Sequence, residues 1–151
     1  LGKIENNEIN LNAAGKMIEE VYLEVLKDYK GIKMGEYVIM PNHFHFMIEI
    51  KSFLKKKINT NEGSKGVSKI VQEFKRYTTI KYIEMVKSGI LPPFEKRVWQ
   101  RNFYDNIIRD KQTYYKVCNY IKNNPRNWKE DKYYEWKLNQ GLNTLFYDRD
   151  K

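Results

Sequence analysis

The sequence predicts a layered α+β or α/β domain, because segments with apolar residues at helical spacing alternate with short runs rich in Tyr, Val, Ile and Phe. The 151 residues, 41% of them hydrophobic, suffice for one core and are too few for two ordinary domains, so residues 1–151 read as a single domain. The pattern leaves strand order open.

After a short lead containing Gly and Asn, Asn12 stands where it would cap a helix in which Ile18, Val21, Tyr22, Val25, Leu26 and Tyr29 recur at helical spacing. That helix should end near Gly31. Glu36 to Ile50 is β-rich and interrupted by Pro41-Asn42, which predicts two strands or one strand with a break. Residues 52–66 contain Lys55, Lys56 and Lys57 followed by Asn, Thr, Gly and Ser without periodicity, and read as a flexible basic loop. From Val67 to about Lys87, Val67, Ile70, Val71, Phe74, Tyr77, Thr78, Tyr82 and Met85 define a core face, with Lys69, Arg76 and Lys87 near one azimuth opposite it.

Gly89 and Pro92-Pro93 break the chain, and Arg97 to Ile108, with Val98, Trp99, Phe103, Tyr104, Ile107 and Ile108, favours extended structure. Asp110 is placed to cap a last helix that would bury Tyr114, Val117, Cys118 and Ile121, with Pro125 biasing Asn124 out of the α region and stopping it. The tail, with Trp128, Tyr133, Tyr134 and Trp136, should pack back on the body.

Composition narrows the function. Lys and Arg number 28 against 19 Asp and Glu, a formal net charge of +9, so the surrounding potential attracts polyanions and nucleic acid is the first partner to consider. A solvated lysine surface accounts for the charge equally well. The single cysteine, Cys118, excludes an internal disulfide, and no apolar stretch approaches the roughly 20 residues of a membrane span. Without a signal pattern at its start, the chain is expected in the cytoplasm.

Both histidines of the chain lie in Met40-Pro41-Asn42-His43-Phe44-His45. Alternation along a strand points His43 and His45 to one face and Phe44, Phe46, Ile48 and Ile50 to the other. Two imidazoles side by side on a strand anchored in the core can serve as two ligands of a divalent metal, or can equally be a hydrogen-bonded pair on a sheet surface. With no third histidine and no cysteine cluster, further ligands would be oxygens, and a mixed site with open positions for a phosphate follows. In Asn119-Tyr120-Ile121-Lys122-Asn123-Asn124-Pro125, Tyr120 and Asn124 share a helical face one turn apart. Laid across the imidazoles, such a helix offers the metal a carboxamide oxygen and sets a phenol beside a bound phosphate. Among 12 tyrosines, any one on a helix can instead be packing.

These segments resemble a known family. Met40-Pro41-Asn42-His43-Phe44-His45 is similar to the Met-Pro-Asn-His-hydrophobic-His motif of single-tyrosine HUH transposases, especially the REP-associated tyrosine transposases and their transposase IS-like relatives. Trp99-Gln100-Arg101-Asn102-Phe103-Tyr104-Asp105-Asn106-Ile107-Ile108-Arg109, followed by Tyr120 to Pro125, resembles the family's second signature in order, distance and position before Pro. The resemblance runs from about Gly2 to Trp128. It implies an α+β ferredoxin-like sandwich, an antiparallel sheet with helices packed on one face. It further implies a Mg2+ or Mn2+ site held by His43, His45 and Asn124, with Tyr120 as nucleophile. Asn123 is the neighbouring alternative to Asn124, which the four-residue spacing favours. The implied activity is nicking and joining of single-stranded DNA next to hairpins through a 5′-phosphotyrosine. The partner is then single-stranded or hairpin DNA, with the tyrosine helix acting in cis or exchanged within a homodimer. Against the family, an N-terminal strand is expected to be missing.

Two other readings stand beside this one: a noncatalytic, domesticated binder of DNA hairpins, and a replication-initiator type of nickase, which normally carries longer domains. For the DNA surface the sequence points to Lys69, Arg76 and Lys87 on the second helix. Arg97 and Arg101 flank Trp99 on one strand face, so cations and an aromatic ring interleave as an unstacked strand requires.

Overall fold

A computed structural model describes residues 1–27, 29, 32–50, 63–131, 133 and 134. Strands β1 (Gly2–Glu5) and β2 (Glu8–Leu11) open the chain as an antiparallel hairpin where composition predicts an irregular lead. The cause is Asn6-Asn7. Both have positive φ, 52° and 64°, the left-handed pair that a two-residue type I′ turn needs and that Asn tolerates better than most residues.

Helix α1 (Ala13–Lys27) is capped as the sequence predicts, Asn12 Oδ1 accepting from the Gly15 N–H at 3.0 Å, and ends at Lys27 rather than near Gly31. Strands β3 (Ile32–Ile39) and β4 (Phe44–Ile50) then pair antiparallel with Pro41-Asn42 in the turn, where the Met40 N–H donates to the His43 carbonyl at 2.8 Å. The register shifts between Met34 and Tyr37. Gly35 lies in that irregularity, and a Cβ on it would sit 3.0 Å from Met47 Cβ and 3.3 Å from the Met47 carbonyl oxygen.

Helix α2 (Gly63–Lys87) is already running at Gly63, so the expected 52–66 basic loop loses its last four residues to the helix and its remainder lies outside the described residues. The helix stops in a Schellman arrangement: the Gly89 N–H donates to Val86 O at 3.0 Å and the Ile90 N–H to Met85 O at 2.9 Å, with Gly89 at φ 71°. Helix α3 (Lys111–Asn123) is capped by Asp110, whose Oδ1 accepts from the Thr113 N–H at 2.8 Å and whose Oδ2 accepts from the Thr113 hydroxyl at 2.7 Å.

Among the described residues the strands form two separate two-stranded antiparallel sheets, and the fold is α+β. On one face of the β3–β4 hairpin, Tyr37, Ile39, Phe44, Phe46 and Ile48 pack against α1 and α2. Tyr22 of α1 is the hub, with ring centroids 5.1 Å from Tyr37, 5.0 Å from Phe44 and 5.2 Å from Phe46. Phe74 closes this layer, 5.6 Å from Phe44 and 5.3 Å from Trp99. The two longer helices therefore lie on one face as the resemblance implies. Helix α3 crosses the other, where Val38, Met40, Met47, Cys118, Ile121 and Trp128 form a second, smaller cluster.

Two side chains leave the faces that periodicity assigns them. Tyr77 and Tyr114 are each 43% exposed, so neither belongs to a core. The segment from Arg97 to Ile108 also departs from expectation, forming no strand. Its backbone carbonyls go to a side chain instead: Lys75 Nζ donates to the carbonyls of Gln100 at 2.8 Å and Asn102 at 3.1 Å. Trp99 is buried and its Nε1–H donates to Thr78 Oγ1 at 2.6 Å, which fastens the segment to α2.

Candidate active site

The second face of β4 carries the polar chemistry of the molecule. The tight Pro41-Asn42 connection starts β4 at Phe44, and alternation from there turns Phe44 and Phe46 into the aromatic layer and His43 and His45 away from it. The two imidazole centroids are 4.6 Å apart with planes inclined by 71°. His43 is fully buried and His45 is 6% exposed, so the pair is not the surface ornament that alternation alone allows.

Helix α3 is held over this face by three contacts. Cys118 Sγ lies 3.9 Å from Met47 Sδ, Ile121 is buried in the second cluster, and Lys122 Nζ pairs with Glu36 Oε1 of β3 at 3.0 Å. The Glu36 carboxylate raises the Lys122 pKa above its ordinary value, although solvent screens an exposed pair of this kind and leaves it a weak fastening. Orientation comes mainly from the apolar contacts.

Tyr120 is thereby brought to His45, ring centroids 5.5 Å apart in an edge-on arrangement, while 44% of it faces solvent. One turn on, Asn124 keeps helical dihedrals (φ −53°, ψ −44°) despite preceding Pro125. The expected exit from the α region does not occur, because the chain continues through turns closed by Asn127 N–H to Asn123 O at 3.1 Å and Trp128 N–H to Pro125 O at 3.4 Å. The consequence is functional: Asn124 stays on the Tyr120 face. It is 3% exposed, and its carboxamide oxygen and nitrogen have no hydrogen-bond partner among the described residues. Leaving such a group unsatisfied costs about 1–3 kcal/mol, which marks the position as one kept for something other than stability. Asn123 is a different case: it is half-buried and its Nδ2 donates to Asn119 O at 2.9 Å.

Two imidazoles and one buried carboxamide without a partner among the described residues offer donors of mixed N and O character. No group of three or more His, Cys, Asp or Glu suited to a metal occurs among the described residues, so a cation here would depend on Asn124 and on ligands from solvent or substrate.

The sequence missed the packing around His43. Its ring lies 5.9 Å from Trp128 and 5.2 Å from Tyr133, so the tail does fold back, and it does so onto the site. Trp136 lies outside the described residues. The only sequence signal for this wall was the density of aromatics after Pro125.

The basic residues are not gathered here. Lys69, Arg76 and Lys87 are exposed on α2, which packs on the opposite face of the β3–β4 hairpin from the histidines, and the Arg76 guanidinium sits 4.2 Å above the Tyr77 ring. Arg97 and Arg101 are exposed, but Trp99 between them is 5% exposed in the core, so the expected interleaving of cations with a stacking ring is not formed. Nearer to Tyr120, a groove of about 510 Å³ at the start of α3 is lined by Asp105, Asn106, Ile107, Arg109, Asp110 and Thr113. Thr113 precedes Tyr120 by two helical turns on the same side, about 10 Å away along the axis.

Residues 5–124 match a family model described as "Transposase IS200 like". The chain is also similar to an uncharacterized protein of Haemophilus influenzae, at 32% identity over 145 residues covering 88% of this chain and 76% of that protein. No solved structure matches.

Proposed function

The chain belongs to the IS200-like transposase family, and on that premise we propose that it nicks and rejoins single-stranded DNA beside a hairpin through a covalent bond to Tyr120. What supports this reading most directly is the meeting of Tyr120 with His45 at 5.5 Å beside the buried, unengaged Asn124. Both partners of that contact belong to one chain, so the reading needs no second subunit; a homodimer would be an addition to it.

The Tyr120 hydroxyl, 44% of whose residue surface is open to solvent, is reachable by a phosphodiester. Its oxygen attacks phosphorus, forming the P–O bond to tyrosine while the P–O3′ bond breaks. The phenolic proton passes to solvent and the departing 3′ oxygen takes one up. The products are a 5′-phosphotyrosine and a 3′-hydroxyl. One phosphodiester replaces another, so attack by a 3′-hydroxyl reverses the step and joins strands without ATP.

A phenol with an ordinary pKa near 10 is a weak nucleophile at pH 7. His43, His45 and the Asn124 carbonyl oxygen would hold a Mg2+ or Mn2+ ion, which supplies polarisation of the scissile phosphate and offsets its charge. Two imidazoles favour Mn2+ over Mg2+ in such a set. Buried Trp128 and half-buried Tyr133 pack against His43 and screen that side of the histidine pair from bulk water.

For the strand path, the reading follows the groove at the start of α3 toward Tyr120, with Arg109 of the groove and Lys116, exposed on α3 four residues before Tyr120, as phosphate contacts in place of the α2 cations. The test is incubation of the protein with hairpin-bearing single strands from its own genomic flanks and Mg2+ or Mn2+, followed by a denaturing gel. A covalent protein–DNA adduct with release of a 3′-hydroxyl fragment is expected. Tight hairpin binding without adduct under either metal would replace this reading with the noncatalytic hairpin binder.

A further inference from the structure

The turn before β4 holds a side chain that the mechanism above does not use. Asn42 Nδ2 donates to the Tyr133 carbonyl at 2.9 Å, and Asn42 Oδ1 lies 2.8 Å from His43 Nδ1. A backbone carbonyl only accepts, so the amide end of Asn42 is committed to Tyr133 and its oxygen must face the ring. Two acceptors do not bond to each other, so Nδ1 is the nitrogen that carries the proton. In the neutral ring the lone pair then falls on Nε2, an atom that the structure buries. Histidine in water prefers the opposite tautomer, with the proton on Nε2, a form that cannot ligate through that nitrogen.

We propose that Asn42 is a positioning residue that locks His43 in the Nδ1–H tautomer and so prepares Nε2 as a ligand, with the Tyr133 carbonyl as its anchor. The anchor lies beyond residues 5–124, the region that matches the family model, so a segment outside the match sets the protonation of the site. The ring contact supports the same role: the Tyr133 ring, its centroid 5.2 Å from that of His43 and its plane inclined by 59°, packs against the imidazole that Asn42 addresses. Partners of this kind, one bond removed from a ligand, typically alter metal affinity about 10- to 100-fold when removed.

The inference rests on the metal reading, and the experiment separates the two. Imidazole ¹⁵N spectra of the full, metal-free chain are simple to assign because it has only two histidines, and a His45→Gln variant identifies His43. The expected spectrum has His43 Nδ1 protonated and Nε2 bearing the lone pair. Asn42→Leu should shift His43 toward the Nε2–H tautomer and weaken Mn2+ binding by about 10- to 100-fold in calorimetry. Asn42→Asp loses the amide that anchors to the Tyr133 carbonyl but keeps an acceptor toward Nδ1, so it should retain the Nδ1–H tautomer that Asn42→Leu loses. A parent protein with His43 protonated on Nε2 overturns the inference whether or not the variants fold. So does a folded Asn42→Leu protein with unchanged tautomer and Mn2+ affinity. A parent protein with the Nδ1–H tautomer that binds no Mn2+ upholds the Asn42 assignment and overturns the metal reading instead.

Discussion

The two faces of the β3–β4 hairpin are made by alternate residues of the same short strands, yet they are built on opposite terms. On one, Tyr22, Phe44, Phe46 and Phe74 meet ring to ring, and burial of each large apolar side chain favours the fold by about 1.5–3 kcal/mol. On the other, two imidazoles and the carboxamide of Asn124, which caps the end of α3, are buried, and that carboxamide has no partner among the described residues. One face is optimised for packing. The other tolerates a polar cost that packing would remove, and the aromatic layer behind the strand is what supports it.

The sharpest way to break this contrast is at Tyr120. Tyr120→Phe should abolish the covalent adduct while stability changes by less than about 0.5 kcal/mol, because a half-exposed hydroxyl is all that is lost. An adduct that persists would move the nucleophile to Tyr114 or Tyr115. On the same face, His43→Ala, His45→Ala and chelation should each eliminate cleavage, whereas Asn124→Ala weakens it, since water can partly replace a neutral oxygen ligand. Undiminished cleavage in excess EDTA would leave the histidines a structural pair only.

The aromatic face should respond in the reverse manner. Phe74→Ala is expected to cost about 3–5 kcal/mol in urea unfolding, while a polar-face change, Asn124→Leu, should be neutral or stabilising because it removes an unsatisfied buried amide. Comparable losses at both positions would erase the distinction between the faces.

A smaller effect locates the DNA. Arg109→Ala combined with Lys116→Ala should reduce the slope of log affinity against log salt by about 0.7 per lost contact on a single strand. Lys69→Ala with Arg76→Ala, on the far side of the hairpin, should leave the slope unchanged. The opposite outcome would carry the strand along α2 and separate binding from the histidine face.

The smallest expected effect concerns Lys75, whose burial against the 100–102 backbone lowers its pKa to about 8 from 10.5. With the folded value below the unfolded one, the unfolded chain binds more protons between about pH 8 and pH 10.5, so stability should rise with pH across that window. Urea midpoints of the parent protein should therefore climb relative to Lys75→Met, and parallel curves would show that the carbonyls fully offset the burial.

Caps and periodicities were legible from local chemistry. Asn12 and Asp110 accept the helix-end N–H groups that their sequence positions suggest, and Pro41-Asn42 divides β3 from β4 as expected. These features depend on neighbours within about one turn, which a sequence displays directly. The alternation that turns His43 and His45 together, and the spacing that sets Tyr120 beside Asn124, are local in the same sense. They supplied the residues of the candidate site.

What joined them was not local. That Trp99 is drawn into the core by Thr78 and that Lys75 takes the carbonyls of a would-be strand both depend on partners brought from elsewhere in the chain. The side of the hairpin on which each helix settles separates Lys69, Arg76 and Lys87 from the histidines, although nothing in their spacing forbids a shared surface. The Asn42 bond to Tyr133 spans 91 positions. Residue types and short spacings determine which groups are available and which way they turn on their own element. Tertiary packing alone decides which of those groups meet, because burial energy is shared among distant segments and no single one of them encodes it.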